Sequence, residues 1–204
     1  MTTLIIALGI FLLGFGAGWA RRIAAETSGE RAVPKRLRAE FPGCHLLNNV
    51  TLPCADGTTQ VDHIAVSQHG VFVIESKHYT GWIFASAKSA KWTQVIYKVK
   101  NQFQNPIRQN FKHCVEVRRL LDFLPPEHVH SAVVFTGDAE FKTGMPAGVF
   151  SLDGLVREMQ GRKQEVMSLN RVHFCVGRLE CLRLALTDAT DVQHQASLAN
   201  RFRR

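Results

Sequence analysis

Apolar residues fill nearly every position from Leu4 to Ala20 (LIIALGIFLLGFGAGWA), and Arg21 and Arg22 follow at once. A run of 17 residues sits at the short end of what crosses a bilayer. A cleaved signal peptide competes with that reading, because Gly18 and Ala20 offer small residues for a cleavage site. No positive charge precedes the run, however, so the pattern favours an uncleaved anchor. Arg21, Arg22, Arg31, Lys35, Arg36 and Arg38 would then stay on the cytoplasmic side, and with them the rest of the chain. Gly14 and Gly18 are spaced for close approach of two membrane helices, which supports a homodimer contact.

Beyond that segment the periodicity changes. Residues 30–41 read as a helix with Val33 and Leu37 inward and Pro34 in its first turn. Residues 45–52 (HLLNNVTL) read as a first strand, followed by a turn-rich excursion over 53–59. Two alternating strands follow, 60–66 and 71–76, joined by a turn at Gln68-His69-Gly70 in which Gly70 is free to take positive φ. Residues 81–84 and 91–97 predict short edge strands whose Trp82 and Trp92 serve packing. Asn105 and Pro106 cap a helix in which Ile107, Phe111, Cys114, Val117, Leu121 and Leu124 recur at helical spacing. Pro125-Pro126 ends it, and 131–136 (SAVVFT) reads as a buried strand. Further helices are expected over 152–160, 178–187 and 191–202. This order implies an α/β domain with a mixed central sheet flanked by helices.

Composition sharpens the picture. A 204-residue chain with 46% hydrophobic residues suffices for one buried domain plus an appendage. The expected division is an anchor over 1–22, a catalytic domain over 23–150 and a helical extension over 151–204. The net charge of +8 points to a polyanionic partner. From Lys77 to Arg119 there are nine Lys or Arg residues against one acid, Glu116, with aromatic residues interleaved. Lys88, Lys91, Lys98, Lys100, Arg108 and Lys112 are therefore the candidate contacts for nucleic acid. The five cysteines are scattered and odd in number, which supports neither a disulfide framework nor a zinc ribbon.

Candidate chemistry lies in the hairpin. Asp62 shares a strand face with Ile64 and Val66, while Glu75 and Lys77 share one with Val73, so three charges converge at one end. Two nearby carboxylates repel unless a hard divalent cation joins them, normally Mg²⁺ or Mn²⁺. An ammonium beside such a site can orient a water and offset charge on a phosphate under attack. His63 falls on the opposite strand face and reads as structural.

The D…ExK set resembles the PD-(D/E)xK nucleases, and the wider pattern resembles their nuclease-related domain (NERD) family. The matching residues are Gly29-Glu30, Gln60 to His63, Gly70 to Lys77, Gly81, Trp92 and Asn105-Pro106-Ile107-Arg108-Gln109-Asn110. The resemblance implies a restriction-endonuclease-like core hydrolysing phosphodiester bonds, with Asp62 and Glu75 as metal ligands and Lys77 acting on water or phosphate. It also implies that Glu30, on a preceding helix, approaches the metal site, and that Gln109 positions the catalytic lysine. Neighbouring His113 reads instead as a solvated helix residue. The alternative is a non-catalytic module of the same fold that binds nucleic acid or tethers it at the membrane.

Overall fold

The structure, a computed structural model, describes residues 31–55 and 57–185. The apolar run over 4–20, the Gly14–Gly18 pair, Glu30 and the expected helix over 191–202 lie outside the described residues. Among the described residues no helix is long and apolar enough to cross a membrane.

A helix over 31–40 (α1) opens the described chain. β1 (His45–Cys54), β2 (Gly57–Ser67) and β3 (Gly70–Lys77) form an antiparallel meander. β4 (Gly81–Phe84), β5 (Lys91–Ile96) and β6 (Val99–Gln104) then lead into α2 (Pro106–Leu120). β7 (Val129–Phe135), β8 (Ala139–Phe141) and β9 (Val149–Ser151) follow, and α3 (Leu152–Gly161) and α4 (Leu169–Leu182) complete the order. The strands divide between two mixed sheets, a main one in the order β1-β2-β3-β7-β9 and a small one in the order β6-β5-β4-β8. β3, β7 and β9 run parallel, as do β4 and β8.

Apolar burial stacks helices on both faces of the main sheet. One cluster joins Val50, Ile64, Val71 and Val73 to Val117 of α2 and to Val172, Cys175 and Leu179 of α4. A second joins Ala65, Phe72, Ile74, Ala132 and Val134 to Val33 and Leu37 of α1 and to Leu155 and Met159 of α3. Each fully buried aliphatic side chain in these layers contributes about 1.5–3 kcal/mol. The small sheet packs its inner face, Ile83 and Trp92, against Val133, Phe135 and Val149. It thereby covers the ends of β7 and β9 that α2 leaves bare.

Several expectations change. One central sheet becomes two, and β6 (VKNQFQ) is a strand that the apolar pattern did not mark, because its residues are mostly exposed and polar. Phe111 does not pack on the sheet; it is 60% exposed, and the buried face of α2 instead carries Pro106, Asn110, His113, Cys114, Val117 and Leu120. The helix expected over 178–187 begins at Leu169, because the Ser168 hydroxyl accepts the Arg171 N–H as an N-cap and the stripe of Val172, Cys175 and Leu179 starts there. Trp92 packs as expected, whereas Trp82 is 49% exposed on the other face of the small sheet. All five cysteines are free thiols.

Candidate active site

The site is built by the β2–β3 hairpin. Its loop is two residues long, with Ser67 paired to Gly70, and Gly70 takes φ 125°. A β-carbon there would lie 2.8 Å from His130 Nε2 and 2.9 Å from the His128 carbonyl oxygen, so glycine is required on steric as well as conformational grounds. From this turn the register runs to His63 opposite Ile74. Beyond that pair Asp62 takes over the ladder's work: its Oδ2 accepts from the Ser76 backbone N–H at 2.7 Å and from the Ser76 hydroxyl at 2.9 Å.

The strands are irregular at this level. Val61 and Ile64, three residues apart on β2, both enter the core cluster shared with α2 and α4, as do Leu47 and Val50 on β1. Strict alternation would send the members of each pair to opposite faces. The slip falls at Asn49, which takes φ 50°, and at Asp62 across from it; ladder pairing runs from Asn48↔His63 to Val50↔Val61 around them. Asparagine tolerates the left-handed region better than most residues. The slip leaves Asp62 just beyond the last β2–β3 pair, within reach of Ser76.

Glu75 and Lys77 occupy the C-terminal end of β3, which runs parallel to β7. Such ends are where α/β sheets open their ligand crevices. Glu75 is buried, 1% exposed, with Oε1 accepting from Lys77 Nζ at 2.5 Å. His113 Nε2 of α2 lies 3.3 Å from Glu75 Oε2, while its Nδ1 is 2.8 Å from the Thr59 hydroxyl oxygen. Neither Glu75 Oε2 nor His113 Nε2 completes a hydrogen bond. Asp62, Glu75, Ser76, Lys77, His78, Tyr79 and Gln109 line one cavity of about 220 Å³.

α2 is fixed to deliver Gln109 and His113. Asn105 caps it, accepting the Ile107 N–H at 2.9 Å, and its amide ties the helix start to the carbonyls of Ser86, Ala87 and Ser89 before β5. One turn on, the Asn110 amide donates to the Val73 carbonyl at 2.9 Å, the Ser131 hydroxyl at 2.8 Å and the Ala132 carbonyl at 3.2 Å. These bonds bind the helix across β3 and β7 and set its rotation.

Electrostatics separate the two carboxyls. Burial, reinforced by the negative charge of Glu75, pushes Asp62 up to about 6, against the Ser76 N–H that favours its charged form. Burial also acts to raise Glu75, but His113 and Lys77 outweigh it and hold its pKa below the usual value. For Lys77, burial opposes the charge while Glu75 and then Asp62 restore it, leaving its pKa above that of a free lysine. The pair thus consists of a firmly ionised Glu75 beside an Asp62 that gives up its proton reluctantly.

Among the described residues no three His, Cys, Asp or Glu side chains are arranged to hold a metal ion. Asp62 and Glu75 nevertheless offer hard anionic oxygens to one polar cavity, and Glu75 Oε2 is a buried acceptor without a hydrogen bond. That donor chemistry fits a hard divalent cation.

The structure thus brings together Asp62, Glu75, Lys77 and Gln109. Glu30 lies outside the described residues. Lys88, Lys91, Lys98, Lys100, Arg108 and Lys112 are all exposed, but they do not form one cluster. Arg108 donates to the Lys88 carbonyl at 2.6 Å near the start of β5, whereas Lys98 and Lys100 lie at its other end, where Lys100 pairs with Val95. His63 is 2% exposed and hydrogen bonded to Asn48 at 2.8 Å, away from the cavity, with burial lowering its pKa to about 4. His113 overturns its sequence reading: it is 5% exposed and faces Glu75. Its position four residues after Gln109 was the available signal, since such residues share a helix face.

The family model described as nuclease-related domain matches residues 25–136. An uncharacterized protein of Bacillus anthracis is 44% identical over 97 residues, or 47% of this chain and 46% of its own. The chain thus spans about half the length of the curated relative it matches. No solved structure gives a significant match.

Proposed function

The chain belongs to the nuclease-related domain family, within the PD-(D/E)xK-like nucleases, and from that premise we propose that it hydrolyses phosphodiester bonds of nucleic acid, DNA in preference, with Mg²⁺ or Mn²⁺ held by Asp62 and Glu75. The observation that carries the reading is the convergence of Asp62, Glu75 and Lys77 from two adjacent strands on one polar cavity. A fold that gains nothing from the site has no reason to bury Glu75 beside a second carboxylate, given what desolvating charge costs.

The bound cation would supply Lewis acidity, which lowers the pKa of a coordinated water and offsets phosphate charge. Lys77, with 21% of its side chain exposed, is the solvent-facing partner of the buried carboxylate. Its ammonium can leave Glu75 Oε1 to donate to the attacking water or to a phosphoryl oxygen. His113 acts as a positioning residue, keeping Glu75 ionised and aimed while Thr59 fixes the imidazole ring. Gln109, on the cavity wall, has amide groups suited to orienting water or phosphate.

The test uses full-length protein in detergent, incubated with labelled single- and double-stranded DNA and RNA in Mg²⁺, Mn²⁺ or EDTA, beside Glu75→Ala and Lys77→Ala. The expected result is cleavage that needs the metal and falls about a hundredfold or more in each variant. Binding without cleavage in any metal, equal in all three proteins, would replace the enzyme with a non-catalytic nucleic-acid-binding module.

A further inference from the structure

The small sheet sorts its aromatic residues onto two faces. Inside, Trp92 is 1% exposed and its ring centroid lies 6.1 Å from that of Phe103, 6.3 Å from Phe135 and 6.2 Å from Phe141. Outside, Trp82 and Phe84 stand two residues apart on β4, 49% and 40% exposed. Direct strand partners share a face, so the surroundings of the two outer rings follow from the register. Lys100, Val95, Trp82 and Glu140 make one row across the sheet, and Gln102, Thr93 and Phe84 make the next. Lys142 Nζ is ion-paired with Glu140 and lies 4.6 Å from the Trp82 ring centroid. No acid occurs from Ser76 to Val115. The carboxylate of Glu140 is therefore matched by Lys142, and the face is left positive by Lys100 and by Lys91 at the start of β5.

We propose that this outer face is a stacking platform for single-stranded nucleic acid, Trp82 and Phe84 each receiving a base while Lys91 and Lys100 meet phosphates. The proposal rests on the nucleic-acid reading of the candidate active site and adds the form of substrate that it takes. Aromatic side chains on a flat sheet can stack only on bases that are not already stacked in a duplex. Trp82 and Phe84 are separated by about 7 Å along the strand, a gap that an unpaired strand spans by opening adjacent bases. Thr93 and Gln102 lie beside the rings as neutral hydrogen-bonding groups suited to base edges, which a lipid surface would not require. β4 starts four residues after Lys77, and Tyr79 between them both lines the cavity and packs its ring against Phe103 of the small sheet, at 4.5 Å between centroids. Platform and candidate active site are thus joined through one short connection.

Full-length protein in detergent micelles with EDTA is titrated with 5′-labelled oligothymidylate and with a duplex of equal length, and anisotropy is read. In the Trp82→Ala/Phe84→Ala double variant, affinity for the single strand is expected to fall about tenfold or more, with a smaller loss on the duplex. Phe174→Ala, which removes an aromatic residue on α4 that is 57% exposed, is expected to bind as wild type. Trp82→Phe/Phe84→Tyr, which keeps both rings, should restore the affinity and rule out a folding defect. Equal single-strand binding by wild type and the Ala double variant overturns the platform and leaves the nuclease reading intact. Failure of the wild type to bind either nucleic acid overturns both. If micelles doped with anionic phospholipid, and not the oligonucleotide, shield Trp82 from acrylamide quenching, the face meets lipid and the proposal falls.

Discussion

His113 and Thr59 come from α2 and β2, and the 2.8 Å contact between them is the outer end of a chain that runs through Glu75 to Lys77. Each link has a different physical part. Lys77 supplies charge, Glu75 is the buried anion, His113 opposes its burial cost, and Thr59 decides which way the imidazole points. A buried hydrogen bond of this kind contributes about 1 kcal/mol net, more if breaking it strands one partner. A double-mutant cycle of Thr59→Val and His113→Ala, followed by urea unfolding, should therefore return a coupling of about 1 kcal/mol. Strict additivity would mean that the contact adds nothing and that His113 is held by packing alone.

At the scale of elements, the hairpin's turn end and its catalytic end are governed by different groups. His130 of β7 fills the space that a Gly70 side chain would take, and its ring centroid lies 4.9 Å from that of Phe72. Burial first, then the cations of Arg162 and His128, lower its pKa to about 4; Glu158 opposes them and Arg118 adds to them. The unfolded chain takes up this proton near the ordinary value of 6.5, while the folded chain refuses it until about 4. Between those limits the unfolded state binds more protons, so stability falls as pH drops from 6.5 towards 4 and is untouched by His130 above that window. Buried His63 acts in the same direction. His130→Gln should flatten, without abolishing, the acid limb of a curve of melting temperature against pH; parallel curves would assign that limb to other groups. The same elements show what the sequence reveals and what it conceals. The β2–β3 hairpin and the α2 cap are legible because alternation, a glycine turn and an Asn-Pro start are local signals. The rotation of α2 is not, since the Asn110 hydrogen bonds to Val73, Ser131 and Ala132 bury a polar residue and turn Phe111 outward. The phase slip at Asn49 and Asp62 is hidden for a similar reason: it exists only where two strands lie side by side.

At the scale of the whole molecule, the layers divide labour between holding and reaching. The two helical layers bury the main sheet's apolar faces, and the small sheet turns an acid-free stretch outward from its junction with the candidate active site. Charge read along the chain told of this partition only in part: it found the basic residues but not that Arg108 joins Lys88 while Lys98 and Lys100 stand at the far end of β5. A polyanion lying across the small sheet would release counterions from each phosphate it gives up to a lysine, and binding would weaken with salt in proportion to their number. On single-stranded oligothymidylate, Lys91→Ala/Lys100→Ala should lower the slope of log affinity against log salt by about 1.4. Arg171→Ala, on the exposed side of α4, should leave that slope alone. An unchanged slope in the lysine double variant would move the phosphate path off the β5–β6 hairpin. It would then have to run by Arg108, Lys112 and Lys88, where α2 and the start of β5 meet, so the slope decides between two routes over one surface.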